Sequence, residues 1–148
     1  MHLEGTVVIA APPERTWQFL TDPQAVSRCT PGVESLEVLE AGRRFRSVAS
    51  LGLGSIKTRF TVDVEWVEMT PPERARARAH GTAPGSTADV EAEMTLTQRS
   101  PSTTELHWTA EVTILGTIAS LASRMMGGVT QKLSEQFFEC VKKNIEAT

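Results

Sequence analysis

Between Val33 and Gly116 the chain is written almost entirely in strand-forming runs, and this constrains the fold more than any other feature. Runs at 33–40, 43–51, 55–68, 73–81, 87–99 and 103–114 are separated by Ala41-Gly42, Gly52-Leu53-Gly54, Pro71-Pro72, the stretch 82–86 and Ser100-Pro101-Ser102. Spacers this short join antiparallel neighbours, because a parallel pair needs a long crossover. Within the runs the alternation is clean. Ile56, Phe60, Val62, Val64 and Trp66 oppose Lys57, Arg59, Asp63 and Glu65. Val90, Ala92, Met94 and Leu96 oppose Asp89, Glu91, Glu93 and Thr95, and Leu106, Trp108, Ala110, Val112 and Ile114 oppose Glu105, His107 and Glu111. A strand of period two offers one apolar face, so the predicted meander is a sheet with one side to bury.

The flanks supply the rest. Leu3, Gly5, Val7 and Ile9 alternate with polar residues and predict a first strand. Pro12-Pro13-Glu14-Arg15 stops it and opens a helix carrying Trp17 and Leu20 on one face; Asp22-Pro23 breaks that helix and starts a second over 23–28. After Gly116, Ile118, Leu121, Ala122, Met125, Val129, Leu133, Phe137, Val141 and Ile145 recur at steps of three and four, a single amphipathic helix of about 28 residues. Gly127-Gly128 in its middle predicts a kink or a close backbone approach. The 148 residues are read as one domain, 1–148, of α+β class. It is a curved seven-stranded antiparallel sheet with two short helices after the first strand, gripping the long C-terminal helix.

Composition removes several function classes. Lys+Arg 15 against Asp+Glu 18 gives a net charge of -3, so the chain lacks the basic balance of a nucleic-acid binder. No basic, apolar leader opens the chain and no run of 18 apolar residues occurs, which predicts a soluble cytoplasmic protein whose membrane contact is peripheral. Cys29 and Cys140 allow one disulfide; two free thiols in a reducing compartment is the preferred reading. Catalytic signatures are sparse. There is no tyrosine, and His2, His80 and His107 fall at the terminus or on outward registers. CxxC, HExxH, P-loop and GxSxG patterns are absent. No catalytic residue, metal site or resident cofactor is assigned. Arg74, Arg76 and Arg78 are expected to pair with Asp89, Glu91 and Glu93 on the next strand, the alternative being a docking face.

Several segments carry a family resemblance. They are Pro12-Pro13-Glu14-Arg15-Thr16-Trp17, Cys29-Thr30-Pro31-Gly32-Val33-Glu34-Ser35-Leu36, Gly52-Leu53-Gly54-Ser55-Ile56-Lys57, Lys132-Leu133 and Gln136-Phe137-Phe138. In this order the chain resembles the Bet v 1-like helix-grip superfamily (SRPBCC, START), and more narrowly the carbon monoxide dehydrogenase CoxG family. The resemblance implies an accessory protein of molybdenum hydroxylases of the carbon monoxide dehydrogenase type, which recruits them to the membrane and carries a respiratory quinone in the grip. Some members extend into a C-terminal membrane anchor; this sequence stops at Thr148, just after the helix, which predicts the short form.

The expected ligand cavity is lined by Phe60, Val62, Trp66, Met94, Trp108, Val112, Leu121, Met125, Val129 and Leu133. Its mouth is expected at Pro31, Leu51, Leu53, Ile56, Leu115 and Ile118, where leucines occupy glycine-rich turn tips. Alanines 75, 77, 79, 92 and 110 are small for a face that must meet a helix, and an apolar ligand is a natural occupant of the space they leave. Three functions compete: a non-catalytic quinone carrier or recruiter, a cyclase/dehydratase-like enzyme needing a polar lumen residue, and an adaptor with a filled core.

Overall fold

The computed structural model describes residues 1–53 and 56–146; within them the side chains of Leu51, Leu53, Ile56, Leu121, Ala122, Met125, Met126 and Val129, and Gly127, lie outside the described residues. The elements run β1 (His2–Ile9), α1 (Pro13–Leu20), α2 (Pro23–Cys29), β2 (Val33–Glu40), β3 (Arg44–Leu53), β4 (Ile56–Thr70), β5 (Arg74–Ala83), β6 (Ser86–Ser100), β7 (Thr103–Gly116) and α3 (Ala119–Glu146). All pairings are antiparallel, in the order β1-β7-β6-β5-β4-β3-β2. The meander thus folds as expected, and β1 returns to the last strand, with Leu3 opposite Ala110 and Val7 opposite Leu106.

Both short helices follow from their proline starts. Pro13 opens α1, which buries Thr16, Trp17 and Leu20. Asp22 caps α2 by accepting a hydrogen bond from the Gln24 amide at 3.0 Å, and Pro23 fills the first turn. The strand-to-helix corner at the other end is sharper. Gly116 has φ +99°, and a Cβ there would sit 2.1 Å from the Gly85 carbonyl oxygen, so only glycine lets β7 turn over the β5–β6 hairpin. Thr117 N–H donates to that carbonyl at 2.9 Å, fixing where α3 begins.

Burial is divided. One cluster joins Ile9, Ala11, Trp17, Leu20, Cys29, Ala75, Leu96 and Leu106 to Val141 and Ile145, locking the last turns of α3 onto α1 and β7. A second, much smaller one pairs Phe60 with Ile118 beneath the start of α3. Between them the concave face of the sheet carries residues that are only partly buried, Val62, Trp66, Met94 and Trp108 among them.

Two expectations need correction. Cys29 and Cys140 are not free thiols: they form a disulfide with Cα atoms 5.4 Å apart. The last turn of α2 packs on the last third of α3, a pairing of distant segments that local patterning does not encode. The Asn144 amide lies over both sulfurs, 3.8 Å from Cys29 Sγ and 3.4 Å from Cys140 Sγ. At Gly128 there is no close approach, since nothing lies within 4 Å of an added Cβ; Gly127 lies outside the described residues.

The convex face is a ladder of ion pairs. Arg74 meets Glu93 at 2.9 Å, Arg78 meets Glu91 at 3.7 Å and Arg46 meets Asp63 at 2.7 Å; Asp89 pairs with His80 at 2.6 Å rather than with an arginine. All are largely solvent-exposed, so screening and side-chain entropy leave each with little effect on stability.

Candidate functional site: a groove between the sheet and two helices

The partly buried stretch of the concave face lines a run of connected cavities. The outer one encloses about 340 Å³. Its floor is Phe45, Ser47 and Ala49 of β3, Val62, Val64 and Trp66 of β4 and Ala77 of β5; its roof is Leu20, Val26 and Thr30. Leu20, Val26, Trp66 and Ala77 also bound an inner compartment of about 190 Å³. There Ala75, Ala77 and Ala92 form the base, Trp66 and Trp108 stand at the sides, and Phe137 and Phe138 of α3 close it. The two phenyl rings meet edge to face, with centroids 5.0 Å apart. Two openings lead off at Trp108: one of about 300 Å³ past Leu133 toward Pro31, and a slot of about 670 Å³ between β1 and α3.

The helix-facing alanines explain the void. Ala77 stands opposite Trp66 and Ala92, and Met94 opposite Trp108 and Ala75, so large residues occur at the margins and methyl groups between them. Trp108 lies two residues along β7 from the row of Trp66, Ala77, Ala92 and Ala110, so three strand steps and that offset separate the two tryptophans by roughly 16 Å at the backbone. The side chains reach inward across a flat alanine base.

Of the residues expected at the cavity, Val62, Trp66, Met94, Trp108 and Leu133 line these compartments. Phe60 instead fills the small cluster with Ile118, both 8 % exposed, and Val112 borders none of the four spaces. Of the expected mouth, Pro31 is exposed beside the opening at Leu133, and Leu115 is 59 % exposed on the convex register, beyond the rim. Leu51, Leu53, Ile56, Leu121, Met125 and Val129 have side chains outside the described residues. Sequence reasoning missed the roof. The sheet was expected to be covered by α3 alone, but α2 covers the β3–β5 half through Val26 and Thr30. It also missed the side slot, for which Gly5 in mid-strand was the available signal.

Charge stays off the outer and inner compartments, whereas Glu4, Glu135, Glu139 and Lys142 border the slot between β1 and α3. Among the described residues bounding the outer and inner compartments the one titratable side chain is Glu93, and its carboxylate is held by Arg74 and Arg76 on the convex side. Glu34, unplaced by its sequence context, accepts from Arg59 at 2.8 and 3.0 Å and from Ser50 at 2.9 Å; Arg59 first and Ser50 second hold its carboxyl below the usual glutamate range. His2 hydrogen-bonds Glu111 and lies 3.5 Å from Glu4, which raises its pKa. No group of three or more His, Cys, Asp or Glu among the described residues could hold a metal ion.

A curved antiparallel sheet closed by a long C-terminal helix over an apolar groove defines a helix-grip domain of the START and Bet v 1-like kind. The chain belongs to the CoxG family of carbon monoxide dehydrogenase subunits, whose sequence pattern matches residues 5–146. Among solved structures it is similar to a conserved protein from Geobacillus kaustophilus, at 24% identity and TM-score 0.91 over 99% of this chain and 96% of that one. It also resembles a START superfamily protein from Mycobacterium smegmatis (14% identity, TM-score 0.75, 99% and 97% covered). A third likeness is to the Zhui aromatase/cyclase from Streptomyces sp. R1128 (20% identity, TM-score 0.76, 99% and 93% covered). At these identities the likeness establishes the fold alone. No curated protein sequence matches the chain. Among the described residues no helix is long and apolar enough to cross a membrane.

Proposed function

We propose that this protein is a non-catalytic carrier of a lipophilic molecule, a quinone, and that it serves a molybdenum hydroxylase of the carbon monoxide dehydrogenase type at the membrane surface. The observation that carries this reading is the groove itself: two connected apolar compartments of about 340 and 190 Å³ under α2 and α3, in a chain of the CoxG family. The outer compartment alone lies within the range of small-molecule sites, and the inner one extends it. Burying each methylene of a prenyl tail contributes about 0.8 kcal/mol, so one isoprene unit retained inside the protein offsets several kcal/mol of the cost of leaving a bilayer. Ligand exchange takes place at the end where Pro31 lies, with peripheral contact to the membrane there, and the loaded protein then docks on the oxidoreductase.

The carrier reading is favoured over a cyclase/dehydratase because such an enzyme needs a proton-transferring group in its lumen. Here the carboxylate nearest the inner compartment, Glu93, is turned outward and ion-paired. The test is uptake of added short-chain quinone by delipidated protein, wild type against Ala77→Leu. The leucine fills the base that both compartments share. One quinone per wild-type chain and at least ten-fold weaker binding by a folded Ala77→Leu variant is the expected result (order-of-magnitude, from overpacking of about 1–3 kcal/mol). Equal binding by the two would place the ligand elsewhere.

A further inference from the structure

Trp108 is the residue at which the compartments meet: it borders the inner space, the opening toward Pro31 and the slot between β1 and α3. Its partner across the β1–β7 ladder is Gly5. The indole lies flat against that glycine, and its Nε1 is the ring atom nearest to it: a Cβ on Gly5 would fall 2.8 Å from Nε1, 2.9 Å from Cε2 and 3.0 Å from Cζ2. Gly5 and Trp108 are both wall residues of the slot, and Trp108 borders the inner compartment as well. No described residue accepts a hydrogen bond from this N–H, and it is not sealed from solvent either. It is a donor held at a junction of cavities that no described residue satisfies.

We propose that the Trp108 indole N–H donates a hydrogen bond to a carbonyl oxygen of the bound molecule, so that the site selects a carbonyl-bearing planar lipophile over a hydrocarbon of the same shape. The inference rests on the carrier reading above and adds how the ligand's head is recognised. A hydrocarbon seated against the indole strips the water from Nε1 and leaves the donor unpaired, whereas a quinone oxygen replaces the lost bond. Gly5 is then a positioning residue, since any side chain there pushes the indole off its seat. On the inner side the walls near Trp108 are Met94, Phe137 and Phe138, which offer shape and no donor, while the slot side carries Thr130, Gln131, Ser134 and Lys142.

The experiment compares menadione with methylnaphthalene, the same ring system without its oxygens, by equilibrium dialysis on delipidated wild-type, Trp108→Phe and Gly5→Ala proteins. Loss of one neutral hydrogen bond corresponds to roughly five-fold weaker binding. Menadione is expected to bind Trp108→Phe about five-fold more weakly, with methylnaphthalene changed less than two-fold, and Gly5→Ala to show the same selective loss. In ¹⁵N-labelled wild type, the Trp108 indole N–H resonance is expected to move downfield with menadione and not with methylnaphthalene, a readout that stands even if a variant fails to fold. Equal changes for both compounds, or a resonance indifferent to menadione that does bind, would overturn the donor assignment. If the wild type binds neither compound, the carrier reading fails, and the donor role falls with it.

Discussion

Breaking the Cys29–Cys140 bond is expected to destabilise the protein substantially, and the size of the effect follows from chain topology. The two residues are 111 apart in sequence, so the cross-link closes nearly the whole chain between α2 and the end of α3. Chain-entropy arguments give about 4.7 kcal/mol at 25 °C for a loop of that length, and measured disulfides generally deliver about 2–4. The native side adds little compensation, because Cys29 is 4 % exposed and the partners already pack within the main cluster. Urea unfolding of oxidised protein against the Cys29→Ala/Cys140→Ala variant should therefore show a loss of about 2–4 kcal/mol. For a domain whose total stability is of order 5–15 kcal/mol this is a large fraction. The urea slope should rise in the variant, since the released unfolded chain exposes more surface. A loss under about 1 kcal/mol, or two thiols that react quantitatively in the folded protein before any reductant is added, would refute the reasoning. Val26 and Phe137, each three residues from a bonded cysteine, line the groove, so the same variant reports how firmly its roof is held.

Leu106→Ala removes a side chain 1 % exposed at the centre of the main cluster and should cost about 2–5 kcal/mol in the same unfolding assay. Gly116→Ala should destabilise by about 1–3 kcal/mol or more, through positive φ and the Gly85 carbonyl, where Gly42→Ala, with nothing within 4 Å, should show only the backbone part. His2 should titrate above the ordinary imidazole value of 6.5 by NMR because of Glu111 first and Glu4 second, and Glu111→Gln should bring it down. A raised folded-state value means that the pair stabilises at acidic pH and that this contribution fades as pH rises through the His2 titration.

The strands, the turns and the long helix were legible because they rest on local periodicity: the alternation from Ile56 to Trp66 and the helical spacing from Ile118 to Ile145 each describe one element facing one core. The groove was half legible. Val62, Trp66, Met94 and Trp108 could be placed on the inward register, and the alanines between them marked missing volume. Which inward residues line space and which fill it depends on where the helices land. Phe60 meets Ile118 and becomes core, while Trp66 packs beside the main cluster and stays only partly buried, on the wall of the open space. The same limit hid the roof at Val26 and the disulfide, both set by how α2 docks on α3 and not by either segment alone. Gly5 was read as one of the alternating residues of the first strand, and its partner Trp108 becomes known only with the β1–β7 register.

The measurement that bears most directly on the carrier reading is organic-solvent extraction of host-expressed protein, with mass spectrometry of the extract and native mass spectrometry of the intact sample. The account predicts a prenylated quinone, near one per chain, lost from the Ala77→Leu variant while the fold is kept. An extract free of quinone, from a protein that also takes up none when it is added, would contradict it and would leave a filled adaptor as the better description.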